Sequence, residues 1–439
     1  MSVHPHPLQF AFFGDDFSGS TDALESLTRA GLRTVLFLEP PSPKRLAAFS
    51  GLDAVGVAGL TRALAPDAME AALRPAFAAL RALGPRHVHY KVCSTFDSSP
   101  DIGSIGRAID IGVEVFHGPF VPLVVGAPAL GRFCLFGNLF ARFGIGSAGA
   151  IHRLDRHPSI SRHPVTPMTE ADLQLHLSKQ TTRRIGLIDV LALDRPEAET
   201  RAELETLVAA HAEIVLFDVL VPAHLTRIGA LLDALGTHER PLFSVGSSAV
   251  GSALASQWLK GRARPPAEPP APAAPLLVVS GSCSPVTAGQ IDHAVIHGFE
   301  GIALAPDASN ERAVTAAALA ALRAGRHTVV YSSRGPADHA GALVSASVLG
   351  TALGRLARAA AEQASVRRVV LSGGDSSSYA ARALGIEAVE MIAPLAPGAP
   401  LCRAHAPGTA VHGLEISVKG GQVGAPDIFL SAASGAIRE

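Results

Sequence analysis

Cysteine is scarce in this chain of 439 residues, which contains four, all far apart in the sequence. Cys93, Cys134, Cys283 and Cys402 form no CxxC pair, so neither a disulfide framework nor a structural zinc site is expected. Long apolar runs are lacking too, since no uninterrupted stretch reaches the roughly 18 residues of a membrane span. Residues 1–7 lack the basic and apolar regions of a signal peptide, and we expect a cytoplasmic protein.

The chain also has little net charge, because 37 Lys and Arg residues balance 38 Asp and Glu residues. A nearly neutral chain has no overall attraction to nucleic acid or to an anionic membrane, so neither is an expected partner. Several catalytic signatures are missing from the sequence: GxxxxGK[ST], the protein-kinase set, the GxSxG elbow and HExxH. These absences argue against P-loop NTPases, protein kinases, ordinary α/β-hydrolases and zinc proteases.

Short apolar runs, which are typical of buried strands, alternate with Ala-rich helical patterns along most of the chain. This alternation predicts an α/β fold of two domains, each a mostly parallel sheet flanked by helices. The predicted strands are residues 8–13, 34–38, 54–58, 87–92, 121–125, 185–189, 214–218 and 242–245, then 276–280, 328–332, 368–372, 387–392 and 415–419. Residues 126–160 show little periodicity and are predicted to contain long loops near a site.

A tract rich in Pro and Ala covers residues 261–275. Proline lacks a backbone donor and fixes φ, so this tract cannot form a regular helix or a central strand. It predicts a linker at residues 263–275, between a first domain at residues 1–262 and a second domain at residues 276–439.

The motif around which the first domain is organised reads GDDFSGSTD and spans residues 14–22. An apolar strand precedes it, and a helical pattern that ends at Gly31 follows it. Asp15 and Asp16 are therefore predicted at the carboxyl end of a strand, where open α/β sheets bind their ligands. Ser18 and the free backbone amides around it form a predicted anion site. The simpler interpretation is that one Asp caps the helix and the other is exposed on a turn.

A second cluster, YKVCSTFDSS at residues 90–99, follows another apolar strand. Lys91, beside Ser94 and Thr95, could bind a carboxylate or neutralise a transferring phosphoryl group. Equally, Lys91 could extend its ammonium group to solvent while the hydroxyl groups cap the next element. Cys93 is interpreted as a small buried apolar residue rather than as a nucleophile.

Residues that follow in the first domain offer further candidates for binding. Arg153 and Arg162 could orient an acidic substrate, although unpaired surface charges are an equally good interpretation. Thr169, with Asp172 three residues later, resembles a capping box that opens a helix. No metal-ligand spacing such as HExxH occurs here, and we assign no metal ligands.

Three turns rich in Gly and Ser each follow a predicted strand of the second domain. They read SGSCSP at residues 280–285, SGGDSSS at residues 372–378 and KGGQVGAPD at residues 419–427. Glycine allows close backbone approach and positive φ, so successive N–H groups can point at one phosphate chain. The predicted nucleotide contacts are Ser282, Cys283, Ser284, Gly373, Gly374, Asp375, Ser376, Lys419, Gly420, Gly421 and Gly424.

A carboxylate-rich site on one domain and a phosphate site on the other suit a small-molecule kinase with its active site in the cleft between the domains. The chain resembles the four-carbon acid sugar kinase family over nearly its whole length. Residues 14–22 resemble the amino-terminal signature of that family, residues 281–284 and 372–375 its nucleotide loops, and residues 413–427 its closing segment. The resemblance implies an acid-sugar domain, an ATP domain, and phosphorylation of a sugar-acid hydroxyl group.

One departure from the family pattern concerns the second cluster. Tetronate kinases of the family usually carry an Asp before the Ser-Thr pair and an Arg after it. Here Cys93 replaces the Asp, and Asp97 replaces the Arg. An Arg binds a carboxylate through two hydrogen bonds, whereas an Asp repels it and accepts from hydroxyl groups. The variant resembles a branch that acts on oxidised or branched acids, such as 3-oxo-tetronates or 3-oxo-isoapionate.

The leading hypothesis is an ATP-dependent acid sugar kinase in which Asp16 is the general base and Asp15 holds neighbouring hydroxyl groups. Mg²⁺ would bridge the ATP phosphates, and Lys91 would act both in catalysis and in binding. The other predicted substrate contacts are Ser18, Ser94, Thr95, Asp97, Arg153 and Arg162. A non-catalytic sensor that binds a sugar acid and a nucleotide is the alternative, and a dehydrogenase lacks GxGxxG after the first strand. The oligomeric state is open, with a homodimer as one candidate.

Overall fold

The computed structural model describes residues 8–143, 149–163, 165–259, 268–335 and 345–436, and these residues form two α/β domains. The strands of the first domain are β1 (Phe10–Gly14), β2 (Thr34–Phe37), β3 (Ala54–Ala58), β4 (His87–Lys91), β5 (Val121–Val124), β6 (Arg132–Leu135), β7 (Asn138–Arg142), β8 (Ile151–Arg153), β9 (Ile185–Ile188), β10 (Ile214–Phe217) and β11 (Leu242–Gly246). Its helices are α1 (Phe17–Ala30), α2 (Pro43–Leu46), α3 (Pro66–Ala82), α4 (Ile105–Phe116), α5 (Leu173–Leu177), α6 (Val190–Asp194), α7 (Glu197–Ala209), α8 (Pro222–Asp233) and α9 (Ala249–Trp258).

The second domain repeats the alternation of strand and helix. Its strands are β12 (Leu276–Ser280), β13 (Glu300–Ala303), β14 (Thr328–Tyr331), β15 (Arg368–Ser372), β16 (Ala388–Ala396), β17 (Ala399–His405) and β18 (Glu415–Lys419). Its helices are α10 (Pro285–Ile296), α11 (Glu311–Arg323), α12 (Ala346–Gln363), α13 (Asp375–Leu384) and α14 (Ile428–Ser434). The predicted linker lies partly in residues 260–267, which are outside the described residues, so the boundary between the domains stays a prediction.

Each domain contains the mostly parallel sheet that the sequence predicts. The order in the first domain is β2-β3-β1-β4-β11-β5-β10-β9, and all of these neighbours are parallel. The second domain has the parallel order β13-β14-β12-β15-β18, extended by the antiparallel strands β17 and β16. The sequence did not predict that β16 pairs with β2, through Ala388 to Phe37 and Val389 to Leu36. A single sheet of 15 strands therefore runs through both domains.

Strand β1 illustrates why the sheet lies at the centre of the molecule. Phe10 and Phe12 pack into one apolar cluster, whereas Ala11 and Phe13 pack into another, because successive side chains of a strand point to opposite faces. All five residues of β1 are buried, as expected for a parallel strand with helices on both sides. The polar residues that follow β1 are thereby fixed at the edge of a rigid layer.

Helix α1 forms for reasons that are visible in its sequence. Asp16 is its N-cap, and Gly31 ends it in the left-handed conformation with φ of 105°. The buried positions Leu24 and Leu27 lie on one face at helical spacing. This helix contacts β2 and α9 of its own domain and β17 and α13 of the other, so it lies where the two domains meet.

Of two predictions about the segment after β5, one was incomplete and one was wrong. Residues 126–160 contain not only loops but also β6, β7 and β8, which form a small antiparallel sheet in which Arg132 pairs with Ala141. The N-cap of α5 is Asp172 itself, which accepts hydrogen bonds from the amides of Gln174 and Leu175, and Thr169 does not cap the helix. Among the described helices, none combines the length and the apolar character that a bilayer span requires.

Candidate active site

The adjacent carboxylates of Asp15 and Asp16 lie at the carboxyl end of β1, as predicted, and both are buried. Asp16 accepts hydrogen bonds from the amide of Gly19 at 2.7 Å and from the hydroxyl of Ser18 at 2.6 Å. The capping interpretation is therefore right for Asp16, but the idea that the second Asp is exposed is wrong. Two buried carboxylates side by side need a cation, because burial of unpaired charge is costly.

That cation is Arg62, which is absent from the residues predicted above. Its Nε and one terminal nitrogen donate to the two carboxylate oxygens of Asp15 at 3.1 and 3.0 Å. The other terminal nitrogen lies 2.8 Å from Asp16 Oδ2. Arg62 lies in the turn Thr61–Ala63 that follows β3, the neighbour of β1. Open α/β sheets bind ligands at the carboxyl ends of their strands, and this principle, which located Asp15 after β1, would also have located Arg62 if it had been applied to β3.

The pKa values of the two carboxyl groups move in opposite directions. Burial raises the pKa of Asp15, and the negative charge of Asp16 adds to the rise. Burial acts on Asp16 in the same way, but the charges of Arg62 and Lys91 and the Ser18 hydrogen bond hold its pKa below the ordinary value. Asp16 is therefore ionised near neutral pH, whereas Asp15 takes up a proton more readily.

Lys91 ends β4, on the other side of β1, and its ammonium group is buried 3.3 Å from Asp22 Oδ2. The prediction that Lys91 belongs to the site is consistent with this position, and the alternative of an ammonium group in solvent is wrong. A Cβ atom on Gly19 would lie 2.6 Å from Asp16 Oδ1 and 2.8 Å from Lys91 Nζ. Glycine at position 19 thus allows the carboxylate and the ammonium group to meet at the start of α1.

The residues after Lys91 form a tight polar turn. Ser94 and Thr95 are buried, and the Thr95 hydroxyl donates to Asp97 at 3.0 Å. Phe96 between them has a φ of 57°, which is unusual for a residue with a side chain and fixes the turn. Burial raises the pKa of Cys93 to about 11, so its thiol stays protonated and is not a nucleophile.

The two predicted arginines of the following segment lie in different settings. Arg153 makes a bidentate ion pair with Asp155 at 2.8 and 2.5 Å, and 40% of its side chain is exposed. Arg162 ends the turn Ile160–Arg162. Since the charge of Arg153 is already paired, it is a weaker candidate for an acidic substrate than the sequence suggested.

The three loops of the second domain follow β12, β15 and β18, which are neighbours in the sheet. A Cβ atom on Gly281 or Gly373 would lie within 2.5 Å of Ser376 Oγ, and one on Gly421 would lie 2.9 Å from Ser282 Oγ. The loops therefore pack against one another through their glycines. Their convergence at one edge of the sheet agrees with the prediction of a common ligand site.

Lys419 lies under these loops rather than on their surface. Its ammonium group is fully buried and donates to Thr287 Oγ1 at 3.0 Å and to Ser372 Oγ at 3.2 Å. Burial lowers the pKa of Lys419 to about 7. From this position Lys419 holds the loops in place through its two hydrogen bonds. Its predicted contact with a nucleotide stays a prediction.

The loop at residues 372–378 contacts the first domain directly. The amide of Phe17 donates to Ser378 Oγ at 2.9 Å, in a buried hydrogen bond between the domains. Burial raises the pKa of Asp375, and the charges of Arg62 and Asp16 also act on this carboxyl group. The two predicted clusters thus face each other. Phe17 and Gly19 already donate their amides to protein groups, so fewer amides are free at the start of α1 than the predicted anion site assumed, and that site stays a prediction.

Comparison with known proteins agrees with this two-part site. Residues 10–254 match the family described as the sugar-binding N-terminal domain, and residues 277–429 match the nucleotide-binding C-terminal domain. A 3-oxo-isoapionate kinase of Paraburkholderia graminis is 45% identical over 97% of this chain and 94% of its own. The chain belongs to the four-carbon acid sugar kinase family.

Other members of the acid sugar kinase family are more distant. A 3-oxo-tetronate kinase of Methylobacterium radiotolerans is 32% identical, over 94% of this chain and 96% of its own. A crystal structure of a Salmonella typhimurium LT2 protein that bears the name of a tRNA synthase superposes on this chain with a TM-score of 0.78 at 25% identity. The superposition covers 97% of this chain and 98% of that one. The two-domain architecture is therefore shared along the whole length of the chain.

The family assignment leaves the roles of individual residues as predictions. Described residues include no group of three or more His, Cys, Asp or Glu side chains that could hold a metal ion. Asp375 has a carboxylate without a hydrogen bond or ion pair to any described residue, and it faces the first domain. Mg²⁺ usually binds through one or two carboxylates together with substrate phosphates. Asp375 fits that role, and no further metal ligand is assigned.

Proposed function

We propose that this protein is an ATP-dependent kinase that phosphorylates a hydroxyl group of a small acid sugar, four-carbon or branched, in carbohydrate catabolism. With 45% identity to a 3-oxo-isoapionate kinase, the chain is a sugar-acid kinase, and that relative favours a 3-oxo acid as its substrate. The observation that carries the proposal is the buried hydrogen bond of 2.9 Å between the Phe17 amide, next to Asp16, and Ser378 Oγ of the loop at residues 372–378, which brings the two predicted sites together. Transfer of a phosphoryl group needs such an approach of donor and acceptor sites.

Asp16 is the proposed general base. It is the ionised member of the carboxylate pair, and its charge acts on Asp375 across the domain boundary, so it faces the nucleotide side. The acceptor O–H bond breaks as its proton passes to Asp16, the new O–P bond forms, and the bond from the γ-phosphorus to ADP breaks. Arg62 holds both carboxylates in place, and Asp15 accepts hydrogen bonds from neighbouring hydroxyl groups. Lys91 stabilises the negative charge that develops.

The remaining predicted contacts are divided between the two substrates. Ser18, Ser94, Thr95 and Asp97 would bind hydroxyl or carbonyl-hydrate groups of the sugar. The nucleotide phosphates would lie against the loops, where a Cβ atom on Gly374 meets no protein atom within 4 Å. Asp375 would hold Mg²⁺, which neutralises phosphate charge when it is bound. A cytoplasmic location and a homodimer remain predictions.

The direct test measures release of ADP from ATP and Mg²⁺ with a panel of 3-oxo and plain sugar acids. Asp16→Asn should lower kcat by roughly 10²–10⁴-fold and should still fold, since Asn caps a helix as well as Asp does and Arg62 keeps its ion pair with Asp15. Asp189→Asn is the matched control, because Asp189 also caps a helix after a strand, through the amide of Ala192. Normal turnover by Asp16→Asn, or binding of acid and ATP without ADP release by the wild type, would contradict the proposal. The second outcome would indicate a sensor.

A further inference from the structure

Arg132, at the start of β6, is a buried arginine with an unusual set of partners. Only 3% of its surface is exposed. One terminal nitrogen donates to the carbonyl oxygens of Leu130 at 3.1 Å, Gly131 at 3.3 Å and Arg142 at 3.0 Å. The guanidinium group is thus anchored by main-chain atoms at one corner. Its Nε is buried and has no hydrogen-bond partner among the described residues.

No carboxylate of the described residues forms an ion pair with Arg132, in contrast to Arg62 and Arg368. Arg62 has Asp15 and Asp16, and Arg368 donates to Glu415 at 2.7 Å as well as to two carbonyl oxygens. A buried charge without a counter-ion is costly, and proteins keep such a group mainly where it binds something.

Arg132 lies near the predicted sugar site. The carboxylates whose charges act on it, against the effect of burial, are Asp97 and Asp22. Asp97 belongs to the polar turn after β4, and Asp22 pairs with Lys91. Arg132 therefore belongs to the surroundings of the predicted sugar site, although it lies in a segment that the sequence predicted to be loop.

Three other cations of the first-domain site are already paired within the protein, and Arg162, the remaining predicted one, is exposed at the end of its turn. Lys91 is paired with Asp22, Arg62 with the carboxylate pair, and Arg153 with Asp155. Since Asp97 replaces the arginine that relatives carry at that position, the carboxylate of an acid sugar needs another partner. A guanidinium edge with two N–H groups matches a carboxylate in geometry and in charge.

We propose that Arg132 binds the carboxylate group of the acid sugar through its Nε edge and thereby determines that the substrate is an acid. This proposal rests on the proposed kinase function. By binding the carboxylate, Arg132 orients the sugar so that its oxidised or branched end lies towards Asp97 and its acceptor hydroxyl group lies towards Asp16. Arg132 is in this view a specificity residue that takes no part in the transfer of the phosphoryl group.

The experiment compares an acid with its own primary amide. The probe is 3-oxo-isoapionate, or the 3-oxo-tetronate that the wild type prefers, and ADP release is measured. The wild type should reject the amide, because the amide leaves the buried charge unpaired. Arg132→Met should raise KM for the acid by roughly 30- to 150-fold, with KM for ATP and kcat nearly unchanged. In this variant the ratio of kcat/KM for the acid to kcat/KM for the amide should fall to near one.

Two further variants keep the test decisive if Arg132→Met fails to fold. Arg132→Lys keeps the positive charge but lacks the planar guanidinium edge with its two N–H donors, and it should raise KM for the acid by about tenfold. Arg183→Met is the matched control and should leave the preference for the acid intact, because Arg183 is paired with Asp110 and Glu213. Equal use of acid and amide by the wild type, or loss of the preference in Arg183→Met alone, would overturn the assignment of Arg132. Absence of ADP release with every acid would instead overturn the kinase function.

Discussion

Replacement of Arg62 by methionine should destabilise the first domain strongly, and more so at high pH than at low pH. Arg62 neutralises two buried carboxylates, with three nitrogen–oxygen distances between 2.8 and 3.1 Å. Methionine has a similar length but no charge, so Asp15 and Asp16 would face each other without a cation. Removal of one partner from a buried ion pair typically costs about 3–5 kcal/mol. With a urea dependence of about 3 kcal/mol per molar, the midpoint of unfolding should fall by roughly 1–2 M.

The dependence on pH follows from the same contacts. Without Arg62 the pKa of Asp15 rises further above its unfolded value and the pKa of Asp16 rises too, because only Lys91 and the hydrogen bonds to Asp16 still oppose burial and mutual repulsion. The folded variant then binds more protons than the unfolded chain over the window between the unfolded and the folded pKa values. Its stability is therefore highest below that window and falls as pH rises through it. The deficit relative to the wild type should be smaller at about pH 5 than at about pH 8.

Urea unfolding at both pH values can be followed through the fluorescence of Trp258, the single tryptophan, which packs against Phe10 of β1. Arg74→Met is the matched control, because Arg74 also bridges two carboxylates, Glu70 and Glu114, but on the exposed surface of α3. Exposed pairs contribute little, so this control should show no measurable shift of the midpoint. A loss for Arg62→Met as small as that of the control, or an equal loss at both pH values, would refute the reasoning.

Three further predictions concern nucleotide binding, pH dependence and substrate choice. Gly374→Val should raise KM for ATP by about tenfold or more without changing KM for the acid, since its side chain enters open space at the loops, and Gly289→Val on the exposed face of α10 is the control. Burial, and after it the charge of Asp22, raises the pKa of Glu25 to about 7, so the stability that its protonated form contributes is lost as pH rises through that value. At about pH 8, Glu25→Gln should therefore have a free energy of unfolding larger than that of the wild type by on the order of 2–3 kcal/mol, and a higher melting temperature. An equal fall in melting temperature from pH 5 to pH 8 in both proteins would contradict this role. Asp97→Arg should lower kcat/KM on the preferred 3-oxo acid and raise it on D-threonate, L-threonate or D-erythronate, and a wild type most active on a plain tetronate would contradict the assignment.

Local sequence patterns were enough to place the residues that end strongly apolar strands. Asp15, Asp16 and Lys91 follow runs whose buried character is plain from sequence, and the edge rule for α/β sheets then brings them together. Arg62 was missed because it follows its strand after a short turn without a polar cluster to mark it. Strand β13 was missed for another reason, since its residues Glu300–Ala303 are only partly buried and form no apolar run.

Tertiary features could not be derived in the same way. Lys419 was correctly predicted to end its strand, but its predicted contact with a nucleotide did not anticipate that its side chain is buried and donates to Thr287 beneath the loops. Arg132 looked like a loop residue because β6 is short and alternates between buried and half-buried positions. The pairing of β16 with β2 joins residues about 350 positions apart, and no local periodicity encodes such a contact.

The joined sheet has a consequence for the order in which the protein can be completed during synthesis. The edge of β2 emerges early, but its partners Ala388 and Val389 are made only near the end of the chain. Until then the first domain presents an open strand edge, and open edges are templates for pairing with other chains. A fragment that stops after α9 would carry that edge permanently. The domains of this protein are thus separate in sequence but depend on each other for protection against misassembly.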